Sequence, residues 1–304
     1  MSSQILLEIL KKIAFTVSGK IKNIHGLGEE VGTIGAGGDK TKLGDALVER
    51  ELINILPSIL ADFGIKNCLL ISEETGVLNF GDPSFFDGIF IIVDPIDGSN
   101  NLRPHFTPRP MVAISLASGF LSDLKSNGTF SAIQAGVVKN IFYDDLYFAT
   151  QGGGAFLNGI KLKTSSEIDL EKGILGLSLD HLGEKLKDML GIKGGLDLLL
   201  NIKCQRRIGS TVLDFCHVAT GDYDAHISLS GGAKIHDIAA AQLIIKEAGG
   251  LINIYRNKRL MNDEKILLDL YQKGFSGIKE LSFEVVSAGN QIFLDKILKL
   301  LKLE

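Results

Sequence analysis

The sequence predicts a mixed α/β fold, and three observations predict it. Apolar residues recur at helical spacing twice near the start, a run of short β-type segments follows, and from about residue 166 helical patterns alternate with short strands. Alternation of that kind packs helices against sheet faces. Glycine supplies 35 of the 304 residues, above the usual ~7%, as many tight turns between short elements require. Hydrophobic residues make up 45% and charged residues 22%, a composition that folds. The length suits one large domain or two lobes sharing a core. No Pro/Ser-rich linker, low-complexity segment or internal repeat separates units. The chain therefore reads as two interlocked lobes, an α+β one over 1–165 and an α/β one over 166–304.

The first helix is expected over 2–22, where Ile5, Leu6, Ile9, Leu10, Ile13 and Val17 share one face. A second is expected over 42–62. Between them "GTIGAGGDKT" (32–41) brings Gly32, Gly35, Gly37 and Gly38, a mobile connection. "NCLLIS" (67–72) and "IFIIVD" (89–94) read as strands. Further β-type segments fall near 111–118, 132–139 and 145–150, with Tyr143-Asp144-Asp145 as a hairpin turn, and 151–159 continues as turn and strand. Later, helical patterns near 182–200, 210–220 and 237–248 alternate with strands such as "LINIY" (251–255).

Several function classes are disfavoured. The net charge is −4 and there is no long Lys/Arg block, so a nucleic-acid surface has no electrostatic footprint. No apolar run approaches the ~20 residues that span a bilayer. The N-terminus has Glu8 inside its apolar patch and no small-residue cleavage site, unlike a secretory signal. Cys68, Cys204 and Cys216 are odd in number and widely spaced, and suggest neither a disulfide framework nor a zinc site. They are expected as small buried hydrophobes in a reducing cytoplasm.

The chemistry-bearing residues are acidic. Strand 89–94 runs into Asp94-Pro95-Ile96-Asp97-Gly98-Ser99, which sets two carboxylates beside a turn whose backbone N–H groups can hold a phosphate. Glu73 and Glu74 follow another strand end, where α/β sheets place ligand sites. Asp237 precedes the helical pattern "DIAAAQLIIKEAGG". Mg²⁺ takes a few carboxylates plus waters and phosphate oxygens, and a two-metal site needs carboxylates converging from separate strands. Taken singly, each motif has a plainer explanation. Asp237 makes a helix N-cap, Glu73-Glu74 a solvated loop, Asp94-Pro95 a turn, and "GSTVLD" (209–214) a helix start. His217, His226 and His236 lack ligand-like spacing and read as structural.

The order of these motifs resembles the inositol monophosphatase family, the lithium-sensitive, magnesium-dependent superfamily that includes fructose-1,6-bisphosphatases. "EE" after a strand, "DPIDGS", "GST" before a helix and "DIAAA…EAGG" carry the resemblance. So do "TKLGDALVE" (41–49), "LYFATQGGGAFLNG" (146–159), "GSTVLDFCHVATGDYDA" (209–225) and "VVSAGN" (285–290). It covers nearly the whole chain and is most like the archaeal-type members, which often hydrolyse both inositol monophosphates and fructose 1,6-bisphosphate. It implies a layered αβαβα sandwich. It also implies Mg²⁺, two or three ions, with Mn²⁺ as a substitute and Li⁺ as an inhibitor. Glu73, Asp94 and the Ile96 carbonyl would hold one ion, and Asp94, Asp97 and Asp237 a second. A third, weaker ion would involve Glu73 and Asp39. Gly98 and Ser99 would bind phosphate, and Ser99, where the family usually has Thr, would polarise the attacking water with Asp45 and Glu73. Gly209, Ser210 and Thr211 would line the polyol side. The substrate would be a small phosphorylated polyol or sugar, and the protein a homo-oligomer, dimer or tetramer.

Departures from the family pattern concern the substrate. Ser228 stands where relatives often carry an acidic residue facing substrate hydroxyls, and Ser230 where archaeal relatives have arginine. Arg103, His105 and Arg109 lie in an unusual segment and can serve a second phosphate or simply sit on the surface, as can Arg206 and Arg207. Two alternatives stand beside a dual phosphatase: a 3′-phosphoadenosine 5′-phosphate phosphatase, and a non-catalytic metal-binding homologue.

Overall fold

A computed structural model describes residues 2–35, 40–82, 87–102, 109–178, 193–274 and 281–303. Its first elements are helix α1 (Ser3–Ile21), the two-stranded ribbon β1 (Glu30–Ile34) and β2 (Lys40–Lys42), and helix α2 (Leu43–Asp62). The glycine-rich connection expected to be mobile is thus flanked by an antiparallel pair. Residues 36–39, with Asp39, lie outside the described residues.

An eight-stranded sheet follows. Its strands are β3 (Cys68–Ser72), β4 (Gly76–Phe80), β5 (Ile89–Asp97), β6 (Ala113–Phe120), β7 (Ile133–Asn140), β8 (Leu146–Thr150), β9 (Gly154–Leu157) and β10 (Ile160–Lys161). They lie in the order β10-β9-β8-β7-β6-β5-β3-β4, antiparallel except for β3 beside β5. A six-stranded sheet comes from the second half. It contains β11 (Ile174–Ser178), β12 (Cys204–Arg206), β13 (Ala225–Lys234), β14 (Leu251–Arg256), β15 (Arg259–Leu260) and β16 (Ser282–Ala288), ordered β12-β11-β13-β16-β14-β15. The remaining helices are α3 (Leu121–Ser126), α4 (Lys193–Asn201), α5 (Thr211–Thr220), α6 (Ile235–Glu247), α7 (Ile266–Gln272) and α8 (Gln291–Leu301).

Three apolar clusters define the layers. One joins α1 and α2 to the outer face of the large sheet. A second joins that sheet's inner face, α5, α6 and the small sheet. The third joins the small sheet's far face to α4 and α8. The order is helix, sheet, helix, sheet, helix, as the αβαβα expectation has it. β5 shows the cause in one strand. Successive side chains alternate faces, so Ile89, Ile91 and Val93 enter the first cluster while Phe90 and Ile92 enter the second. Burial on both sides explains a continuous apolar run.

Two boundaries differ from expectation, and both matter to the site. β5 does not stop at Asp94 but continues to Asp97, with an irregularity in its pairing to β6 between those residues. Pro95 is accommodated there, where a missing N–H breaks no regular ladder. Helix α6 starts at Ile235, so Asp237 occupies its third position and is not the cap. Of the pattern near 182–200, only 193–200 falls among the described residues, inside α4.

Close packing fixes α6 over the large sheet. A Cβ on Gly136 of β7 would lie 3.1 Å from the Ala240 carbonyl oxygen, and Ala239, Ala240 and Ala241 are buried at the same interface. Gly136→Val should push α6 outward and cost about 1–3 kcal/mol, the usual range for overpacking. Urea denaturation measures it, and an unchanged midpoint would show that the contact yields freely.

Candidate metal centre

Strand parity aims the first carboxylate. Asp94 continues the Phe90 and Ile92 series, so it points to the inner layer where α6 begins. It is 1% exposed, and its Oδ1 has no hydrogen-bond partner. An orphaned carboxylate oxygen in the interior is costly unless a ligand answers it.

Asp97, past the irregularity, meets the start of α5. Its Oδ2 accepts the Ser210 hydroxyl and, at 2.8 Å, the Val212 N–H. The side chain of Ile96, between the two aspartates, is buried in the cluster under α1 and α2. Gly98 follows with φ +83°, a conformation glycine adopts without penalty, and a Cβ there would stand 2.9 Å from the Gly209 carbonyl oxygen. Ser99 opens a 3₁₀ turn (Ser99–Leu102). Its hydroxyl accepts from Lys42 Nζ at 3.1 Å, which also donates to Asn100 Oδ1 at 2.8 Å.

Two helices begin alike, with Lys-x-x-Asp. In α6, Asp237 Oδ2 accepts the Lys234 N–H at 2.7 Å; in α2, Asp45 Oδ2 accepts the Lys42 N–H at 3.1 Å. Each aspartate satisfies a donor at its helix start, as the third residue of a capping box does. Glu73, just past β3, has Oε1 at 3.1 Å from Lys234 Nζ and 3.2 Å from His236 Nε2. Beside it, Glu74 accepts the Thr41 hydroxyl at 2.6 Å. Glu49 accepts the Ser72 hydroxyl at 2.6 Å and that of Thr75.

Buried negative charge dominates the electrostatics. Burial, then repulsion from Glu73, Asp97 and Asp237, pushes the Asp94 carboxyl well above its ordinary range. Burial and Asp237 push Asp97 up to about 8. Burial, and after it Glu73, raises Asp237 against the pull of His236. Asp45 and Glu49 are each raised by burial to about 7. Glu73 alone goes the other way. Burial disfavours its charge, but His236 and Lys234 hold it down to about 2.

Two overlapping groups are geometrically able to hold a cation: Glu73, Asp94 and His236, and Asp94, Asp97 and Asp237, each offering ligand atoms within 4.8 Å of one another. The structure thus gathers Glu73, Asp94, Asp97 and Asp237 from β3, β5 and α6. Gly98, Ser99 and Gly209 are half-buried beside them. Ser210 differs from the expected polyol-lining role: it is fully buried and its hydroxyl faces Asp97. Thr211 is half-buried, its hydroxyl 3.4 Å from that of Ser178. Ser228 is fully buried in β13 and presents no surface to a substrate.

Among the arginines, Arg109 is exposed beside the 140–145 hairpin, where its carbonyl accepts from Tyr143 and where Lys22, then Lys139 and last Arg109 hold the Asp144 carboxyl below its usual range. Arg206 is exposed and donates to the Gln205 carbonyl, and Arg207 is exposed. Arg103 and His105 lie outside the described residues, and of the Ser230 side chain nothing is described. Sequence reasoning missed Lys42, Lys234 and Glu49, and set His236 aside. The repeated Lys-x-x-Asp before two helical patterns was the signal for the lysines.

Comparison with known proteins shows the family and the fold. The model of the inositol monophosphatase family matches residues 10–281. A fructose-1,6-bisphosphatase/inositol-1-monophosphatase of Methanothermobacter thermautotrophicus is 32% identical over 273 residues, 90% of this chain and 87% of the relative. A bifunctional NADP phosphatase/NAD kinase of Methanocaldococcus jannaschii is 30% identical over 83% of this chain, which spans 45% of that longer relative. The crystal structure of the extragenic suppressor protein SuhB of Bartonella henselae superposes with a TM-score of 0.72 over 97% of each chain at 24% identity, a likeness of fold.

Proposed function

The chain belongs to the inositol monophosphatase family of phosphoric monoester hydrolases, and from that premise we propose that it is a Mg²⁺-dependent phosphatase acting on inositol monophosphate and fructose 1,6-bisphosphate. One observation carries the metal dependence: Asp94, Asp97 and Asp237 converge in the interior with an unpartnered oxygen on Asp94. Such a set fits a hard cation with oxygen ligands. Glu73, Asp94 and the Ile96 carbonyl are assigned to one ion, and Asp94, Asp97 and Asp237 to a second. Mg²⁺ held by these residues would supply a water of lowered pKa and would neutralise charge on the phosphoryl and leaving oxygens.

The chain's own groups do the positioning. The backbone N–H groups of Gly98 and Ser99 bind the phosphoryl oxygens, in a turn the positive φ of Gly98 makes possible. The Ser99 hydroxyl orients the attacking water. Asp45, raised by burial to about 7, is suited to take up a proton near neutral pH. Gly209 and Thr211 are assigned to the polyol side. Lys42, on Ser99 and Asn100, adds positive charge where the substrate brings negative. A homo-oligomer is proposed as the working form. Among the described residues no helix is long and apolar enough to cross a membrane.

A second reading is favoured by the similarity to an NADP phosphatase/NAD kinase: the ester is carried by a nucleotide. Phosphate release by the purified protein with Mg²⁺ decides, using inositol 1-phosphate, fructose 1,6-bisphosphate, NADP⁺ and 3′-phosphoadenosine 5′-phosphate. Turnover of the first two supports the dual phosphatase. Preference for either nucleotide replaces it. No release from any, with metal bound, leaves a non-catalytic homologue.

A further inference from the structure

His236 has no part in the roles assigned above, yet its ring stands inside the acidic cleft. The residue is 4% exposed, and its Nε2 has no hydrogen-bond partner, although Glu73 Oε1 lies 3.2 Å away. Asp94 Oδ1 is orphaned in the same interior, and the three residues offer ligand atoms within 4.8 Å of one another. Lys234 Nζ also sits 3.1 Å from the same Glu73 oxygen, so that carboxylate keeps a cation beside it when the imidazole nitrogen gives up its proton to a metal.

The ring is also firmly presented. His236 is the second residue of α6, its carbonyl accepts the buried Ser115 hydroxyl at 3.2 Å, and α6 lies closely packed on β7. Chemistry separates this position from its neighbour. Asp94, Asp97 and Asp237 offer oxygen alone, whereas Glu73, Asp94 and His236 offer two carboxylates and an imidazole. Oxygen sets suit Mg²⁺, and imidazole suits borderline transition ions.

We propose that His236 Nε2 is a metal ligand, completing with Glu73 and Asp94 an ion position that favours a divalent transition ion such as Mn²⁺, Co²⁺ or Zn²⁺ over Mg²⁺. The two ion positions then share Asp94 and differ in preference. This rests on the reading of the acidic cleft as a metal centre, and the test keeps the two apart.

The full chain, carrying nitrogen-labelled histidine, is given less than one equivalent of Mn²⁺ and studied by pulsed electron paramagnetic resonance. Coupling between the Mn²⁺ electron spin and a labelled imidazole nitrogen is expected in the parent protein. It is expected to vanish in His236→Gln, with Mn²⁺ affinity relative to Mg²⁺ falling about tenfold or more by calorimetry, since even outer partners of a ligand matter on that scale. Circular dichroism and a second variant, His236→Phe, check that the fold persists. Mn²⁺ bound without imidazole coupling in the parent overturns the ligand role and leaves the proposed function standing. Coupling that survives in both variants also overturns it. No binding of either Mn²⁺ or Mg²⁺ removes the metal centre itself, a separate failure.

Discussion

Asp97→Asn gives a folded protein that releases phosphate more than about 100-fold more slowly, because a direct ligand should matter more than the outer partners whose loss costs 10–100-fold. The amide suits the fold. Both donors at this site, the Ser210 hydroxyl and the Val212 N–H, converge on one oxygen of Asp97, which an asparagine carbonyl replaces. Burial and Asp237 push the native carboxyl up to about 8, so in metal-free protein near neutral pH the amide replaces a group that is already mostly neutral. The melting temperature without metal should hold or rise while Mg²⁺ affinity and turnover collapse. Near-parent turnover would remove Asp97 from the centre. Lost turnover with lost helix would show that the residue matters for capping α5 alone.

Metal-free protein loses stability as pH rises from about 6.5 to 8.5, and Mg²⁺ restores it, because raised carboxyl values make the folded state the better proton binder. Asp45 and Glu49 are raised to about 7 and Asp97 to about 8. Their stabilisation is complete below the unfolded carboxylate range and is lost as pH passes through those values. Glu73, held down to about 2, gives stability that is already constant across this window. Burial lowers His226 to about 3 against an ordinary 6.5, so its opposing effect is finished by the start of the window. Thermal melts in chelator at the two pH values, repeated with Mg²⁺, make the measurement. A melting temperature that climbs with pH in chelator would contradict the buried-carboxylate account. A Mg²⁺ effect no larger at the higher pH would contradict a cation binding the deprotonated groups.

Much of the architecture was readable because it repeats. The α1 face from Ile5 to Val17 and the double-sided burial of β5 are periodic, and periodicity survives without knowledge of partners. The end of β5 was not readable, since Asp, Pro and Gly signal a turn locally while pairing with β6 keeps the chain extended to Asp97. β13 was hidden for a related reason: its pairing with β16 breaks between Ser228 and Ala233, and serine and glycine there carry no strand pattern. In the candidate site, each aspartate had a plainer local explanation, and only the order of the motifs along the chain, which resembles one family, set them apart. His236 carried no such signal. Its neighbour Glu73 stands far away in the chain, and histidine spacing along the sequence carries no trace of that contact. For Lys42 and Lys234 the repeated Lys-x-x-Asp marked the helix starts but not the partners, since local pattern says where a backbone goes and not where a flexible ammonium settles.

The cleft is assembled from residues far apart in the order of synthesis. Asp97 and the Val212 amide stand 115 residues apart, and Glu73 and Lys234 stand 161 apart. At the usual pace of translation a growing chain carries its DPID segment for on the order of ten seconds before α5 or α6 exists to receive it. Through that interval the aspartates face water, unpaired and uncrowded, and have no reason to hold a cation tightly. Contacts of such range form late, after shorter loops have closed. Ion capture at the proposed centre would therefore close folding and not seed it, and a chain halted midway could not become a half-made hydrolase.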